Sequence, residues 1–170
     1  DLGANTDAQA NTIELSDAEL DTVTASNLRI GGNVAGSFNI TSPISPANVT
    51  NLGLVSNSSV TQTPGSTITV ANLALSTSSA TLVEGNNVTR IAAIMSGFGQ
   101  DLNFKTIGAL EIGTVDSVSG ISTNSGNANL QVDGNLTQSN PVFANLGIRS
   151  TSGDVTLTNA SNQVNSISGR

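Results

Sequence analysis

The chain contains no cysteine, histidine, tryptophan or tyrosine, and its only lysine is Lys105. Without cysteine there are no disulfide bonds and no thiolate metal sites within the chain. Without histidine there is no catalytic triad of the Ser-His-Asp type. No apolar run approaches the ~20 residues of a membrane-spanning helix, so we predict no membrane insertion. A protein that does without disulfide bridges is compatible with secretion by a bacterium.

Positive charge is also scarce. The formal net charge is −7, from 12 acidic and 5 basic residues among 170. Proteins that bind nucleic acid or anionic membranes present clustered lysine and arginine to phosphate groups. We therefore predict that neither is a partner. Aromatic residues make up 2% of the chain, so any core must be built from small aliphatic side chains.

What the chain does contain is a recurring pattern of short aliphatic pairs. Asn-Leu-x-(Leu/Ile) begins at Asn27, Asn51, Asn72 and Asn145. Apolar residues at positions i and i+2 are typical of strands with one buried face. The segment 71–92 returns at 144–168, with its apolar pairs in the same order. Repetition with Gly, Asn and Ser in the spacers predicts an all-β coil of stacked strands, with about 20–24 residues per turn.

We predict that residues 1–10 form a flexible lead-in and that residues 11–170 form a single β-helix domain. We interpret this domain as part of a longer repetitive protein. Ser16 and Glu19 have the spacing of a capping box. A one-turn helix there competes with extended chain, because the segment 22–24 has β-branched residues. Both interpretations remain open from sequence. At 91–95 the repeat favours a strand followed by a corner over a helix.

Asparagine at the start of each repeated strand suggests a structural role. Stacked asparagine side chains can hydrogen-bond from one turn to the next along the axis of a coil. We therefore predict a ladder formed by Asn27, Asn51, Asn72 and Asn145.

Asp17, Glu19 and Asp21 alternate along the chain and are the candidates for a calcium site. Calcium needs six to eight oxygen ligands from several segments. Neither EF-hand spacing nor a Gly-Gly-x-Gly-x-Asp array is present to supply them. Helix capping and solubility explain the same residues without a metal. We predict no cofactor, no catalytic residue and no cofactor-binding residue.

An enzyme that cleaves polysaccharides is the main catalytic alternative for a β-helix. Glycoside hydrolysis requires two carboxylates that face one cleft. Most acidic residues here stand alone in predicted turns. Glu111 and Asp116 are close in sequence, but we place them on separate strands or corners.

Further residues to compare with known families are 16–20 (SDAEL) to 28–31 (LRIG), 71–75 (ANLAL), 85–88 (GNNV) and 110–121 (LEIGTVDSVSGI). They resemble the repeats of filamentous-haemagglutinin-like bacterial surface adhesins. The resemblance implies a right-handed parallel β-helix outside a Gram-negative cell, exported by two-partner secretion or an autotransporter route. The secretion domain of that family carries an Asn-Pro signature near its start, and Asn140-Pro141 lies too late to match it. We interpret the chain as shaft and transfer no functional residue.

We therefore predict a non-enzymatic structural segment: a rigid shaft of a secreted or cell-surface adhesin or fibre. Its expected partner is a host or neighbouring-cell surface, including surface glycans. The first alternative is a filament subunit that self-associates through its solenoid ends. The second is a carbohydrate-active β-helix enzyme. An enzyme predicts converging charged side chains in a cleft, whereas a filament subunit predicts ends suited to stack on another copy.

Overall fold

The computed structural model describes residues 1–4, 10 and 12–169. It confirms the all-β prediction: a parallel β-solenoid of about seven turns. Its elements are α1 (Asp17–Asp21), β1 (Ala25–Gly31), β2 (Phe38–Ile40), β3 (Val49–Val55), β4 (Ser59–Gln62), β5 (Thr69–Thr77), β6 (Ser79–Met95), β7 (Leu102–Thr106), β8 (Leu110–Ile112), β9 (Thr114–Val115), β10 (Val118–Ser119), β11 (Ile121–Val132), β12 (Leu136–Gln138), β13 (Val142–Ser150), β14 (Val155–Thr156) and β15 (Gln163–Gly169). Within the described part, no helix is long and apolar enough to cross a membrane.

One side of the solenoid, the first wall, contains β1, β3, β5, the second half of β6, β8, β12 and β14, in that order. All of these neighbours pair in parallel. Leu28, Leu52, Leu73, Ile91 and Ile112 succeed one another in register on the inward side. Like residues thus stack on like residues, which buries them against neighbouring turns rather than in one central cluster.

Another side, the second wall, contains β2, β4, the first half of β6, β7 and the second halves of β11, β13 and β15. Its inward positions form a second stack that includes Leu82, Phe104, Leu130 and Ile148. The two stacks meet in one core, and all four of these side chains are buried. The segment 91–95 is part of β6, as the repeat predicts.

The turns differ in length more than the sequence predicts. Asn27, Asn51, Asn72, Arg90, Glu111, Thr137 and Thr156 occupy one position of the first wall in successive turns. Their spacing runs from 18 to 26 residues, which is wider than the predicted 20–24. The longest turn includes the inserted hairpin β9–β10, and the shortest has tight corners. Loops at corners vary freely because the stack constrains only the strands.

The N-terminal end of the solenoid is partly covered. Leu2 is 1% exposed, and it bridges Ile40 in parallel, so it covers the outer edge of β2. Residues 1–3 therefore pack on the solenoid, and the flexible lead-in over residues 1–10 stays a prediction. Residues 5–9 of that lead-in lie outside the described residues. Helix α1 buries Leu20 in the same core.

The C-terminal end is open by comparison. Ile167 continues the inward stack of the second wall, in register with Leu146, yet it is 68% exposed. Val155 continues the first wall beyond Leu136 and is also exposed. Both residues occupy inward positions of their walls, but no further turn of the described chain stacks on them.

Candidate functional site

The asparagines that head the first three strands of the first wall are joined by their side chains. The Asn51 Nδ2 donates to the Asn27 Oδ1 at 2.6 Å, and the Asn72 Nδ2 donates to the Asn51 Oδ1 at 2.6 Å. The next position holds Arg90 instead of asparagine. The ladder therefore spans three turns and ends where the first wall changes to charged side chains.

The structure places Asn145 away from this ladder. Asn145 lies in β13 on the second wall, in register with Asn127. The Asn127 amide bonds to Asp101 instead, and Asn145 has no side-chain hydrogen bond to the described residues. The Asn-Leu-x-(Leu/Ile) pattern specifies a strand and its inward face, but it does not specify the wall. The prediction that Asn145 shares a ladder with the other three is therefore wrong.

Replacing Asn72 with valine is expected to lower the melting temperature by about 2–4 °C. The change leaves the Asn51 Oδ1 without its donor, and one lost hydrogen bond of this kind costs about 1 kcal/mol. Thermal unfolding followed by circular dichroism measures the shift. Asn145→Val is the matched control, since it makes the same change on a similar strand without breaking a ladder bond. Equal melting temperatures for the two variants would remove the ladder's stabilising role.

A second amide pair, which the sequence analysis missed, lies on the second wall. The Asn129 Nδ2 donates to the Asn103 Oδ1 at 2.9 Å. The next turn places Gly147 in register with Asn129, and a Cβ there would lie 2.5 Å from the Asn129 Oδ1. Glycine thus leaves room for the asparagine amide. The available signal was the pair Asn103-Phe104 and Asn129-Leu130, in which asparagine precedes a large apolar residue as in the first ladder.

The three calcium candidates do not converge. The Asp17 Oδ1 accepts from the Ser45 backbone N at 2.5 Å, and the Asp21 Oδ1 accepts from the Ala47 backbone N at 2.7 Å. Glu19 instead points back to Ser16 and completes the capping box that its spacing predicts. No group of three or more metal-binding side chains occurs among the described residues. Asp17 and Asp21 therefore fasten α1 to residues 45–47, and Glu19 caps the start of the helix.

The capping box also changes the acidity of its glutamate. The Glu19 Oε2 accepts from the Ser16 backbone N at 2.9 Å and from the Ser16 Oγ at 2.8 Å. The backbone hydrogen bond is the larger influence. Together they lower the pKa of Glu19 below its ordinary value, because both bonds favour the charged form.

Glu111 connects three turns through one carboxylate. Its Oε1 accepts from the Ser139 Oγ at 2.6 Å, and its Oε2 accepts from the Arg90 Nη2 at 2.7 Å. The serine bond, followed by the arginine bond, lowers the pKa of Glu111 below its ordinary value. Arg90 and Glu111 occupy the same position of the first wall as the ladder asparagines, and they join successive turns by an ion pair instead of an amide hydrogen bond.

Glu111→Gln is expected to lower the free energy of unfolding at pH 7 by about 1 kcal/mol or less, since the pair is partly exposed. A lowered folded pKa means that the ionised form stabilises the fold above the ordinary Glu pKa. That contribution is lost as pH falls through the lowered pKa. Urea unfolding should therefore show a smaller wild-type advantage at pH 3 than at pH 7. An advantage of the same size at both values would contradict the role of the charge.

The hairpin β9–β10, called the outer hairpin here, folds back over the outside of the first wall. Val115 is 1% exposed and Val118 is 8% exposed, and both pack against Ala74 and Ala92. Asp116 takes a φ of 52° at the tip, which suits a tight two-residue hairpin turn. The outer hairpin therefore buries part of an outer sheet face that would otherwise meet solvent.

Three small residues on the outer side of the first wall, Gly53, Ala74 and Ala92, leave space for this hairpin. Arg29, Gly53, Ala74 and Ala92 follow one another in register on the outer side of the first wall. At the far end of the column, Asp116 forms an ion pair with Arg29, and the Arg29 Nη2 donates to the Ser117 Oγ at 2.9 Å. A segment of the fifth turn is thereby fastened to the first. The signal in the sequence is the variable position of Asn-Leu-x-Leu, where Gly53 and Ala74 are small and not polar.

A buried amide also holds the corner of β6. Asn86 is fully buried. Its Oδ1 accepts from the Ile68 backbone N at 2.8 Å and from the Gln62 Nε2 at 2.6 Å, and its Nδ2 donates to the Lys105 carbonyl at 3.0 Å. This one side chain bonds to the turn before it and to the turn after it. It satisfies backbone groups where the ladder of β6 and β7 shifts register between Leu82 and Asn86.

On the outside of the second wall lies a groove of about 510 Å³, the second-wall groove. Its polar and charged lining consists of Asn103, Lys105, Asn129, Gln131 and Arg149, and Gly147 also lines it. Lys105, Gln131 and Arg149 occupy one position in successive turns, beside the position of the second amide pair. The groove therefore runs along the axis of the solenoid, with amides on one side and cations on the other.

The basic side chains that the structure describes fall into two groups, those in ion pairs and those without one. The ion pairs among the described residues are Arg29–Asp116 and Arg90–Glu111. Lys105 and Arg149 take part in neither pair, and both line the second-wall groove. In a chain with a net charge of −7, this groove is where uncompensated positive charge is concentrated within the described residues.

Comparisons of the chain with protein families, with curated proteins and with solved structures found no match.

Proposed function

We propose that the chain is a non-enzymatic structural segment of an extracellular bacterial adhesin or fibre, in which it forms a rigid shaft for surface attachment. The observation that carries the proposal is the continuous stacking of turns. The first wall runs in parallel register from β1 to β14, and the second wall runs from β2 to β15. Backbone hydrogen bonds therefore follow the axis through the whole described solenoid.

Links between turns support a mechanical role. Besides the backbone bonds, side chains join one turn to the next at Asn51, Asn86 and Glu111. The outer hairpin reaches further, from the fifth turn to Arg29 in the first. Bending the solenoid would stretch these links on one side, so each of them opposes bending.

The N-terminal edge of the second wall argues against a filament of copies stacked head to tail. At the N-terminal end, Leu2 occupies the edge of β2 on the second wall. At the C-terminal end, Ile167 of the same wall is exposed and suited to receive another turn. A second copy stacked head to tail would need the β2 edge that Leu2 covers.

The carboxylates support the same proposal over the enzymatic alternative. Glu111 and Asp116 are close in sequence, but they bind different arginines, Arg90 and Arg29. Each serves as a link between turns, whereas glycoside hydrolysis needs two carboxylates directed at one substrate. A location outside the cell, with a host or neighbouring-cell surface as partner, belongs to the proposal.

Electron microscopy of the native surface material tests the proposed function. Antibodies raised against the recombinant chain should label thin extended fibres at the cell surface. Antibodies first absorbed with the same recombinant chain are the control and should label nothing. Label confined to compact particles, or to the cell interior, would contradict a shaft.

A further inference from the structure

We propose that the second-wall groove binds a linear polysaccharide that carries carboxylate groups, because it aligns two unpaired cations beside a row of amides along the solenoid axis. The inference goes beyond the proposed shaft and does not require it. A shaft could lack this site, and the site could serve a protein that is not a shaft.

The two cations set the charge and spacing of the ligand. Lys105 and Arg149 stand in one register column, two turns apart, with Gln131 between them. Strands in a sheet are about 4.8 Å apart, so the two backbone positions are separated by about 10 Å. Arginine can bind a carboxylate through two parallel hydrogen bonds, and lysine binds one as a point charge. A polymer with carboxylates at regular intervals can contact both.

The amides select for hydroxyl groups between those charges. The Asn129 amide donates to the Asn103 Oδ1, which leaves both N–H groups of Asn103, the second N–H of Asn129 and the Asn129 Oδ1 without a partner among the described residues. The Gln131 amide lies beside them. Amide groups both donate and accept hydrogen bonds, as sugar hydroxyls do. Gly147 deepens the groove where a side chain would otherwise stand.

The shape and lining of the groove favour a polysaccharide over other anionic polymers. The groove is open along its length, which suits a linear chain. Phe104, the aromatic residue beneath it, is 1% exposed and packs inward. Proteins that bind single-stranded nucleic acid stack its bases on aromatic side chains, and the outer side of this groove offers none. Val83 is half-exposed at one end of the groove, where it can contact the apolar face of a sugar ring.

Calorimetric titration of the recombinant chain tests the proposal, with a hyaluronan octasaccharide as the carboxylated probe. We expect saturable binding at low salt that weakens at high salt, because exposed charges are screened. Cellohexaose is the neutral comparison, a heparin octasaccharide is the sulfated one, and a DNA oligonucleotide is the nucleic-acid one. Binding of cellohexaose or DNA as tight as that of hyaluronan would overturn the proposal. Binding of heparin alone would overturn the assignment to carboxylates.

Three variants locate the site. Lys105→Gln and Arg149→Gln should each weaken binding by about tenfold, the value of one charge-assisted contact. Gln131→Glu keeps both cations but places a negative charge between them. It should weaken binding at least as much. Arg29→Gln removes one positive charge outside the groove and should bind within about twofold of wild type. Circular dichroism checks that each variant folds. No binding by wild type, or equal losses for Arg29→Gln and Arg149→Gln, would overturn the inference.

Discussion

Replacing Asn86 with leucine is expected to destabilise the protein by about 3 kcal/mol or more, the largest effect of any single change we predict. Leucine matches asparagine in shape but cannot bond to the Ile68 N–H or to the Lys105 carbonyl. The buried Ile68 N–H would lose this partner, and so would the partly buried Lys105 carbonyl. A buried polar group left without a partner costs about 1–3 kcal/mol. Urea unfolding followed by circular dichroism gives the difference in free energy.

The neighbouring residue supplies the control for this prediction. Asn87 is exposed, and its side chain makes no hydrogen bond within the described chain. Asn87→Leu should therefore change stability by about 0.5 kcal/mol or less, as surface substitutions do. If Asn86→Leu and Asn87→Leu unfold at the same urea concentration, the corner network does not stabilise the fold.

Val115→Asp is expected to cost about 3 kcal/mol and to release the outer hairpin. The valine side chain is 1% exposed against Ala74 and Ala92, and burying an unpaired carboxylate there is strongly unfavourable. The hairpin can leave the first wall without unfolding the solenoid beneath it. Hydrogen exchange should therefore quicken first at residues 114–119, while the amides of the second wall keep their protection.

Val34→Asp is the matched control, because Val34 is 99% exposed in a turn. It introduces the same charge without burying it, so stability and hydrogen exchange should stay close to wild type. Slow exchange at residues 114–119 in Val115→Asp would show that the hairpin stays bound without its apolar contact. In that case the Arg29–Asp116 ion pair would be its main anchor.

The architecture could be predicted from sequence because it rests on local rules. Leucine pairs at positions i and i+2 specify a strand and its buried face, and their return specifies stacking. The capping box was recognisable for the same reason, since Ser16 and Glu19 interact within one turn of helix. These features need no knowledge of distant residues.

The assignment of strands to walls depends on corners, and corners are poorly encoded. Asn72 and Asn145 begin the same motif, yet they lie on different walls. The difference accumulates from loops of unequal length, including the inserted outer hairpin. The sequence pattern predicts where a strand lies. It does not predict how far around the solenoid axis the chain travels between one strand and the next.

Two adjacent asparagines show most clearly what the sequence does not predict. Asn86 and Asn87 read alike, but the first is fully buried and the second is exposed. One signal was available, because Asn86 is two residues from Val88 and shares its parity in a strand. Alternation therefore predicts that both point inward. Recognising the partners of Asn86 required the third dimension, since Gln62 and Lys105 are each about twenty residues away.

The groove was hidden for a related reason. Lys105 and Arg149 are far apart in sequence, and neither stands out among so few cations. Their alignment follows from the register of β7, β11 and β13. Composition correctly emphasised the negative charge of the whole chain. It could not show that Lys105 and Arg149, which form no ion pair among the described residues, share one face.

Nuclear Overhauser contacts in the isotope-labelled protein test the central claim, that the backbone winds and stacks turn upon turn in parallel. The solenoid predicts backbone contacts linking Leu28 to Leu52 and Leu52 to Leu73, with residue numbers rising together along both strands. Antiparallel strands instead bring alternate residues into close opposed pairs, and their numbers run in opposite directions. Rising pairs across the first wall are the expected result, and opposed pairs between these same strands would contradict the solenoid.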